Sequence, residues 1–216
     1  QSDSIRKRFC RRINLLKNTV GMLTVSLRIK PNRLKYFNYN HYIYNQPDVW
    51  NLHQNEGAVS GVLVSSRVPE KSDGYVEQID LLTPMHWERC QNWSETKIGK
   101  RGEDYQEMKE RLADECIALA EQCISGLHHL VTERYISTPL TYRDYTLTPE
   151  GSAYGIRKDY NSPLTTFLSP RTPVSNLYLT GQNLMLHGVH GVTMTALTTC
   201  AEILGKEYIW KLIQNK

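Results

Sequence analysis

Apolar and polar residues alternate strictly over residues 23–29. Leu23, Val25, Leu27 and Ile29 fall on one side, and Thr24, Ser26 and Arg28 on the other. That is the period of a strand with one buried face, and Lys30-Pro31-Asn32 closes it with turn residues. Residues 36–44 alternate in the same way: Tyr36, Asn38, Asn40, Tyr42 and Tyr44 share one face, and Phe37, Tyr39, His41 and Ile43 the other. Residues 61–66 and 75–82 are two further strand candidates, with the turn signal Lys71-Ser72-Asp73-Gly74 between them. The period then changes. Leu112, Cys116, Leu119, Cys123, Leu127 and Leu130 recur at spacings of three and four. They predict one helix over residues 103–131, roughly 40 Å long at about 1.5 Å per residue. Together these elements predict an α+β fold: a mixed or mainly antiparallel sheet with a long covering helix.

Residues 137–173 carry neither period and are punctuated by Pro139, Pro149, Pro163, Pro170 and Pro173. Tyr154-Gly155-Ile156 and Phe167-Leu168 within them favour an ordered path over a surface or a site. Residues 174–180 then read as a short buried strand centred on Leu177, Tyr178 and Leu179. Gly181 ends it, Gly188 and Gly191 allow close backbone approach, and residues 192–204 suit a helix rich in small side chains. A strand, a glycine loop and a helix start present unpaired N–H groups at the positive end of a helix dipole, which suits an anionic or carbonyl-bearing ligand. The same unit also occurs in α/β domains that hold nothing.

Composition narrows the function classes. The chain has 216 residues, 40% hydrophobic and 22% charged, with a net charge of +4. That slight excess gives no argument for nucleic acid, and Arg6-Lys7-Arg8 with Arg11-Arg12 reads as a solvated helix face. No apolar run approaches the ~18–20 residues that span a bilayer, and no basic-then-apolar leader pattern is visible. The five cysteines include no C-x-x-C pair, so neither a zinc ribbon nor a disulfide framework is expected, and reduced thiols in a cytoplasmic protein are. His187 and His190 lie three apart, but no further ligand is marked nearby, so no metal is expected. They read as loop packing or as a proton donor beside a ligand.

The residues themselves go further than their spacing. Thr172 through Gln182, reading T-P-V-S-N-L-Y-L-T-G-Q, followed by His187-Gly188-Val189-His190-Gly191, closely resembles the C-terminal flavin signature of the phytoene desaturase family, including its retinol saturase and carotenoid isomerase branches. Thr138-Pro139-Leu140-Thr141, Tyr145-Thr146, Gly151 and Tyr154-Gly155 resemble the segment that precedes that signature. The resemblance implies an FAD-dependent oxidoreductase acting on carbon–carbon bonds of a hydrophobic isoprenoid or polyene substrate. It implies a substrate-domain portion over residues 1–172, an FAD-binding return segment over 173–205 and a tail over 206–216.

Gly181, Gln182, Asn183, His187, Gly188, Val189, His190, Gly191 and Val192 would meet FAD, and Tyr154 and Gly155 the substrate. No residue is singled out as catalytic. Asn183 departs from the acidic residue many relatives carry there. No G-x-G-x-x-G occurs anywhere in the chain, so a C-terminal portion of a longer protein is expected, inactive and without FAD by itself. NAD(P)H as electron donor and a peripheral membrane association stay open, as does the oligomeric state. The competing expectation is a non-enzymatic α+β module that binds a partner through the tyrosine-rich face.

Overall fold

The alternation of residues 23–29 becomes the centre of a sheet. In the computed structural model, which describes residues 5–50, 58–70 and 74–214, β1 runs over Gly21–Ile29, β2 over Asn40–Tyr44, β3 over Gly61–Ser66, β4 over Gln78–Met85 and β5 over Val131–Ser137. The strand order is β2-β3-β4-β1-β5, and every neighbouring pair is antiparallel. The mixed alternative is thereby resolved toward a wholly antiparallel sheet. The strand expected over 75–82 lies three residues later, and the one expected over 36–44 begins only at Asn40. Of the expected turn, Lys71, Ser72 and Asp73 lie outside the described residues.

The chain divides into two units, residues 20–151 and residues 1–19 together with 152–216. The sheet belongs to the first, and α1 (Lys7–Asn14) to the second. One face of the sheet packs against α2 (Glu103–Ala120). Leu23, Val25, Leu27, Val62, Val64, Ile79 and Leu81 meet Leu112, Ala113, Cys116, Ile117 and Ala120 in one buried cluster. Burying a leucine or isoleucine is worth roughly 1.5–3 kcal/mol against about 1 kcal/mol for a typical hydrogen bond. This face therefore dominates the stability of the unit. Burial also pushes the thiol pKa of Cys116 up to about 12 and that of Cys90 up to about 11. Both are inert packing groups.

The helix expected over 103–131 is a correction. It ends at Ala120; Gly126 takes φ 68, and a single turn, α3 (Leu127–Leu130), leads into β5. The apolar spacing persisted because Leu127 packs into the same core, with no exposed surface, from a different element. β5 is an edge strand with Thr132 through Tyr135 exposed, so its alternation was blurred in the sequence.

The other sheet face is ruled into rows by the register. Tyr42, Leu63, Leu82, Thr24 and Ser137 stand opposite one another in turn, and beside them run Asn40, Ser65, Asp80, Ser26 and Tyr135. Asp80 accepts from Ser26 Oγ at 2.6 Å, Arg67 Nε at 2.7 Å and Gln78 Nε2 at 2.9 Å. Burial alone would raise its carboxyl pKa, but these bonds and the Arg67 charge hold it below the ordinary value.

Thr138-Pro139-Leu140-Thr141 is a helix start. Thr138 caps α4 (Pro139–Thr146): its hydroxyl accepts from Leu140 N, and the Thr141 hydroxyl in turn accepts from the Thr138 N–H. Thr138 has no exposed surface, and its hydroxyl also meets Tyr105 Oη of α2 at 2.8 Å. Gly151 lies against the same turn; a Cβ there would stand 1.9 Å from the Pro139 carbonyl oxygen, and its φ is 60. Nearby Arg101, 8% exposed, pairs with Asp144 of α4 and donates to the Thr96 hydroxyl at 3.2 Å and the Trp93 carbonyl at 3.3 Å.

Two outcomes follow. Gly151→Ala should lower the unfolding free energy of residues 20–151 by roughly 2–5 kcal/mol, from left-handed strain plus overpacking, read from the urea midpoint; a parent-like midpoint would refute the close approach. The Asp80 contribution is present above the unfolded carboxyl pKa of about 3.9 and is lost as pH falls through the lower folded value. Asp80→Asn should therefore cost more stability at neutral pH than in strong acid, and an equal cost at both would exclude a charge effect.

Candidate functional site

The site residues expected from sequence all lie in the unit formed by residues 1–19 and 152–216. Thr19 clips one wall in place. Its N–H and its hydroxyl both donate to the Gly155 carbonyl, at 2.8 and 3.0 Å, and the hydroxyl accepts from Tyr154 N at 3.0 Å. Asn18 bridges Ile156, and Arg157 N donates to the Lys17 carbonyl at 2.8 Å.

The second wall is the loop after Gly181. Asn183 Oδ1 accepts from Ile156 N at 2.9 Å. A Cβ on Gly155 would stand 2.1 Å from that oxygen and 3.2 Å from Gln182 Cγ, with φ at +71. Gly155 therefore permits the two loops to touch. The Tyr154 and His187 rings lie 4.4 Å apart between centroids. Lys158 spans the same junction. Its ammonium donates to the carbonyls of Asn183 at 2.7 Å, Thr166 at 2.9 Å and Leu184 at 3.2 Å, and burial lowers its pKa from the ordinary lysine value. Thr166 closes α5 (Pro163–Thr166). Leu184, 2% exposed, is the apolar plug beneath the loop.

The strand expected over residues 174–180 is corrected. This stretch has no strand, only a single bridge between Arg171 and Tyr178, and Leu177 is 48% exposed. Apolar β-prone residues form a strand only where a neighbour supplies the ladder. Thr199 Oγ1 donates to the Leu179 carbonyl at 3.0 Å, and Arg171 reaches Glu202 Oε2 at 3.1 Å, so the stretch is held by α6 (Gly188–Leu204).

Helix α6 starts four residues before the expected 192, at Gly188. Its N-cap residue His187 makes no side-chain cap bond. His187, Gly188, Val189, His190 and Val192 are exposed, Val189 at 86%. The first-turn N–H groups thus lack a side-chain acceptor at the positive end of a helix dipole. The two glycines differ. Around Gly188 a Cβ would meet nothing within 4 Å, whereas on Gly191 it would stand 2.6 Å from the Leu186 carbonyl carbon. Gly191, which is buried, serves the packing of the helix on its own loop.

The structure therefore brings together Tyr154, Gly155, Gln182, Asn183 and His187, and sets Gly188, Val189, His190 and Val192 at an exposed helix start. Thr19 and Lys158 were missed. Each acts across a long stretch of sequence on backbone groups, and no local spacing announces such a contact. Among the described residues, no three His, Cys, Asp or Glu side chains gather where a metal ion could bind. None of the described helices is long and apolar enough to cross a membrane. The tail expected over 206–216 contains a further helix, α7 (Lys206–Gln214).

No protein-family model matches the chain. Among curated proteins it is similar to the all-trans-retinol 13,14-reductase of Rattus norvegicus, 25% identical over 213 residues that cover 90% of this chain and 35% of the relative. It is also similar to the all-trans-retinol 13,14-reductases of Danio rerio, 28% identical over 141 residues covering 64% of this chain and 23% of the relative, and of Macaca fascicularis, 30% identical over 127 residues covering 57% and 21%. The chain thus spans between about a fifth and a third of the length of these relatives. It is a distant homologue of all-trans-retinol 13,14-reductases over part of its length, which bears out the resemblance read from its C-terminal motif.

Lys158→Met should leave two half-buried carbonyls and one exposed carbonyl without their donor and cost roughly 1 kcal/mol per lost bond. Hydrogen exchange of residues 154–186 should accelerate while that of the sheet in residues 20–151 stays unchanged. Unchanged exchange across 154–186 would show that the ammonium is not holding the junction.

Proposed function

We propose that this chain is part of an FAD-dependent oxidoreductase that reduces or desaturates a carbon–carbon bond of a hydrophobic, isoprenoid-like substrate. The observation that carries this reading is the distant homology with all-trans-retinol 13,14-reductases, joined to the exposed, uncapped start of α6 in the segment that resembles a flavin signature. That segment suits part of a flavin clamp. Backbone N–H groups of Gly188, Val189 and His190 would face electron-rich atoms of the cofactor, and open space at Gly188 lets a large planar group come near the backbone. Gly181 and Gln182 would line the approach.

Two of the expected contacts take a different form in this reading. Asn183 commits its Oδ1 to Ile156 N and so shapes the wall, leaving its amide nitrogen to face a ligand. Gly191 keeps the loop folded against the helix and supports the site from behind. FAD, when bound, would supply the hydride chemistry. The protein's part is to orient both partners and exclude water. Tyr154, its ring tilted against that of His187, is the residue of this wall offered to substrate. On the sheet, the row containing Tyr42, Leu63 and Leu82 offers an apolar face of the same character. A second reading, a binding module without enzyme activity, draws on the exposure of Tyr39 and Tyr42, each 62%, and of Tyr135 at 64%.

The chain contains no G-x-G-x-x-G, so the test uses a version of the protein carrying a dinucleotide-binding half ahead of Gln1. It should purify yellow and retain FAD. A colourless, folded protein that takes up no added FAD overturns the oxidoreductase reading and leaves the binding module. Within a yellow protein, Gly188→Val should lower FAD retention by about ten-fold or more, because a β-branched residue is strained at positive φ and fills the open approach. Retention at the parent level would remove Gly188 from the clamp.

A further inference from the structure

Helix α1 carries a charge pattern that the flavin reading does not use. Between α1 and residues 157–166 of the same unit lies a groove of about 740 Å³. Arg8, Arg11, Arg12, Lys17 and Arg157 line it against a single carboxylate, Asp159. Five cations against one anion equal the entire net charge of the chain, +4. The remaining charges therefore balance, and the excess is gathered here.

Among the described residues, Arg12 is the groove cation whose side chain holds the fold, donating to the Phe167 carbonyl at 2.9 Å and the Leu164 carbonyl at 3.0 Å, which fixes α1 over the loop. Asp159 accepts from Asn161 N at 2.9 Å. Among the described residues, Arg8, Arg11, Lys17 and Arg157 make no ion pair. Like charges held side by side oppose folding, and a fold that nonetheless converges them around a concavity is matched to an anion.

Arginine forks favour phosphate, whose oxygens accept paired N–H donors. The rim is apolar: Leu15, which lines the groove, is 71% exposed, and Leu164, whose carbonyl Arg12 holds, is 87% exposed. We propose that this groove binds a phosphate group, either free or as the headgroup of a lipid whose apolar part lies on that rim. The site stands independently of the flavin reading, since none of its residues belongs to the clamp.

Two probes separate the sources. Calorimetric titration with sodium pyrophosphate at low ionic strength reads the free anion. Co-sedimentation with phosphatidylcholine vesicles, with and without phosphatidic acid, reads the headgroup. Binding of pyrophosphate, or binding only to vesicles that contain phosphatidic acid, supports the site and names its source.

In either assay the Arg11→Gln/Arg157→Gln variant should lose affinity by roughly ten-fold or more, and Arg11→Lys/Arg157→Lys should keep most of it. Lys206→Gln/Lys211→Gln, which removes as much charge from α7, should bind like the parent. Arg8→Gln, which breaks no described bond, should weaken binding in the same direction by a smaller factor and covers the case of a double variant that does not fold. The proposal falls if neither probe binds, if the α7 variant loses as much as the groove variant, or if Arg8→Gln binds like the parent.

Discussion

One buried hydroxyl organises the sheet unit. Thr138 has no exposed surface, and it closes the first turn of α4 while meeting Tyr105 of α2. β5 ends at Ser137, so the same residue fixes where the edge strand stops and where the chain turns. Pro139 at the first helical position then needs no N–H partner, and its carbonyl comes so near Gly151 that no side chain fits there. Arg101 and Asp144 hold the far end of α4 to the loop before α2. A buried ion pair of this kind adds little over an apolar pair of equal size, yet losing one partner costs about 3–5 kcal/mol. Its use here is to fix one arrangement of α4 against α2.

How far the sequence spoke follows from what each element leans on. β1 was legible because its buried face is unbroken, and like β3 it has a strand on either side in the sheet. β5 was not: it is an edge strand whose exposed residues erase the alternation, and its neighbour α3 continues the helical spacing of α2 into the shared core. Leu127 obeyed the spacing for a reason unrelated to helix continuity. Residues 174–180 failed in the opposite sense. Leu177, Tyr178 and Leu179 have the propensity for a strand, but propensity without a ladder leaves backbone groups to bond elsewhere, and α6 takes them through Thr199.

The candidate site shows the same division. The residues of the C-terminal motif were readable as a set, and the relationship they implied is borne out by distant relatives. The individual roles were not readable. Asn183 and Gly155 are a matched pair, because an oxygen that reaches Ile156 N leaves room for a hydrogen atom and no more at Gly155. In this geometry the two motif residues also pack against each other. Gly188 and Gly191 make the complementary point. Both are glycines in the first turn of α6, but only the first has open space around it, so only there is the backbone open to a close approach.

That distinction bears on how a helix rich in threonine can serve a ligand at its start. Thr193, Thr195, Thr198 and Thr199 each return their hydroxyl to a carbonyl one turn back, and Thr199 also to Leu179. Their polar atoms are therefore spent inside α6. The helix body presents methyl groups and small surfaces, while the polarity it offers outward is concentrated in the N–H groups at Gly188 to His190. A planar, electron-rich group can then approach the start of α6 without competing hydroxyls along its flank. The arginine groove at α1 is the opposite construction, with charged side chains around a concavity. The first suits a group recognised by shape and partial charge, and the second a full anion.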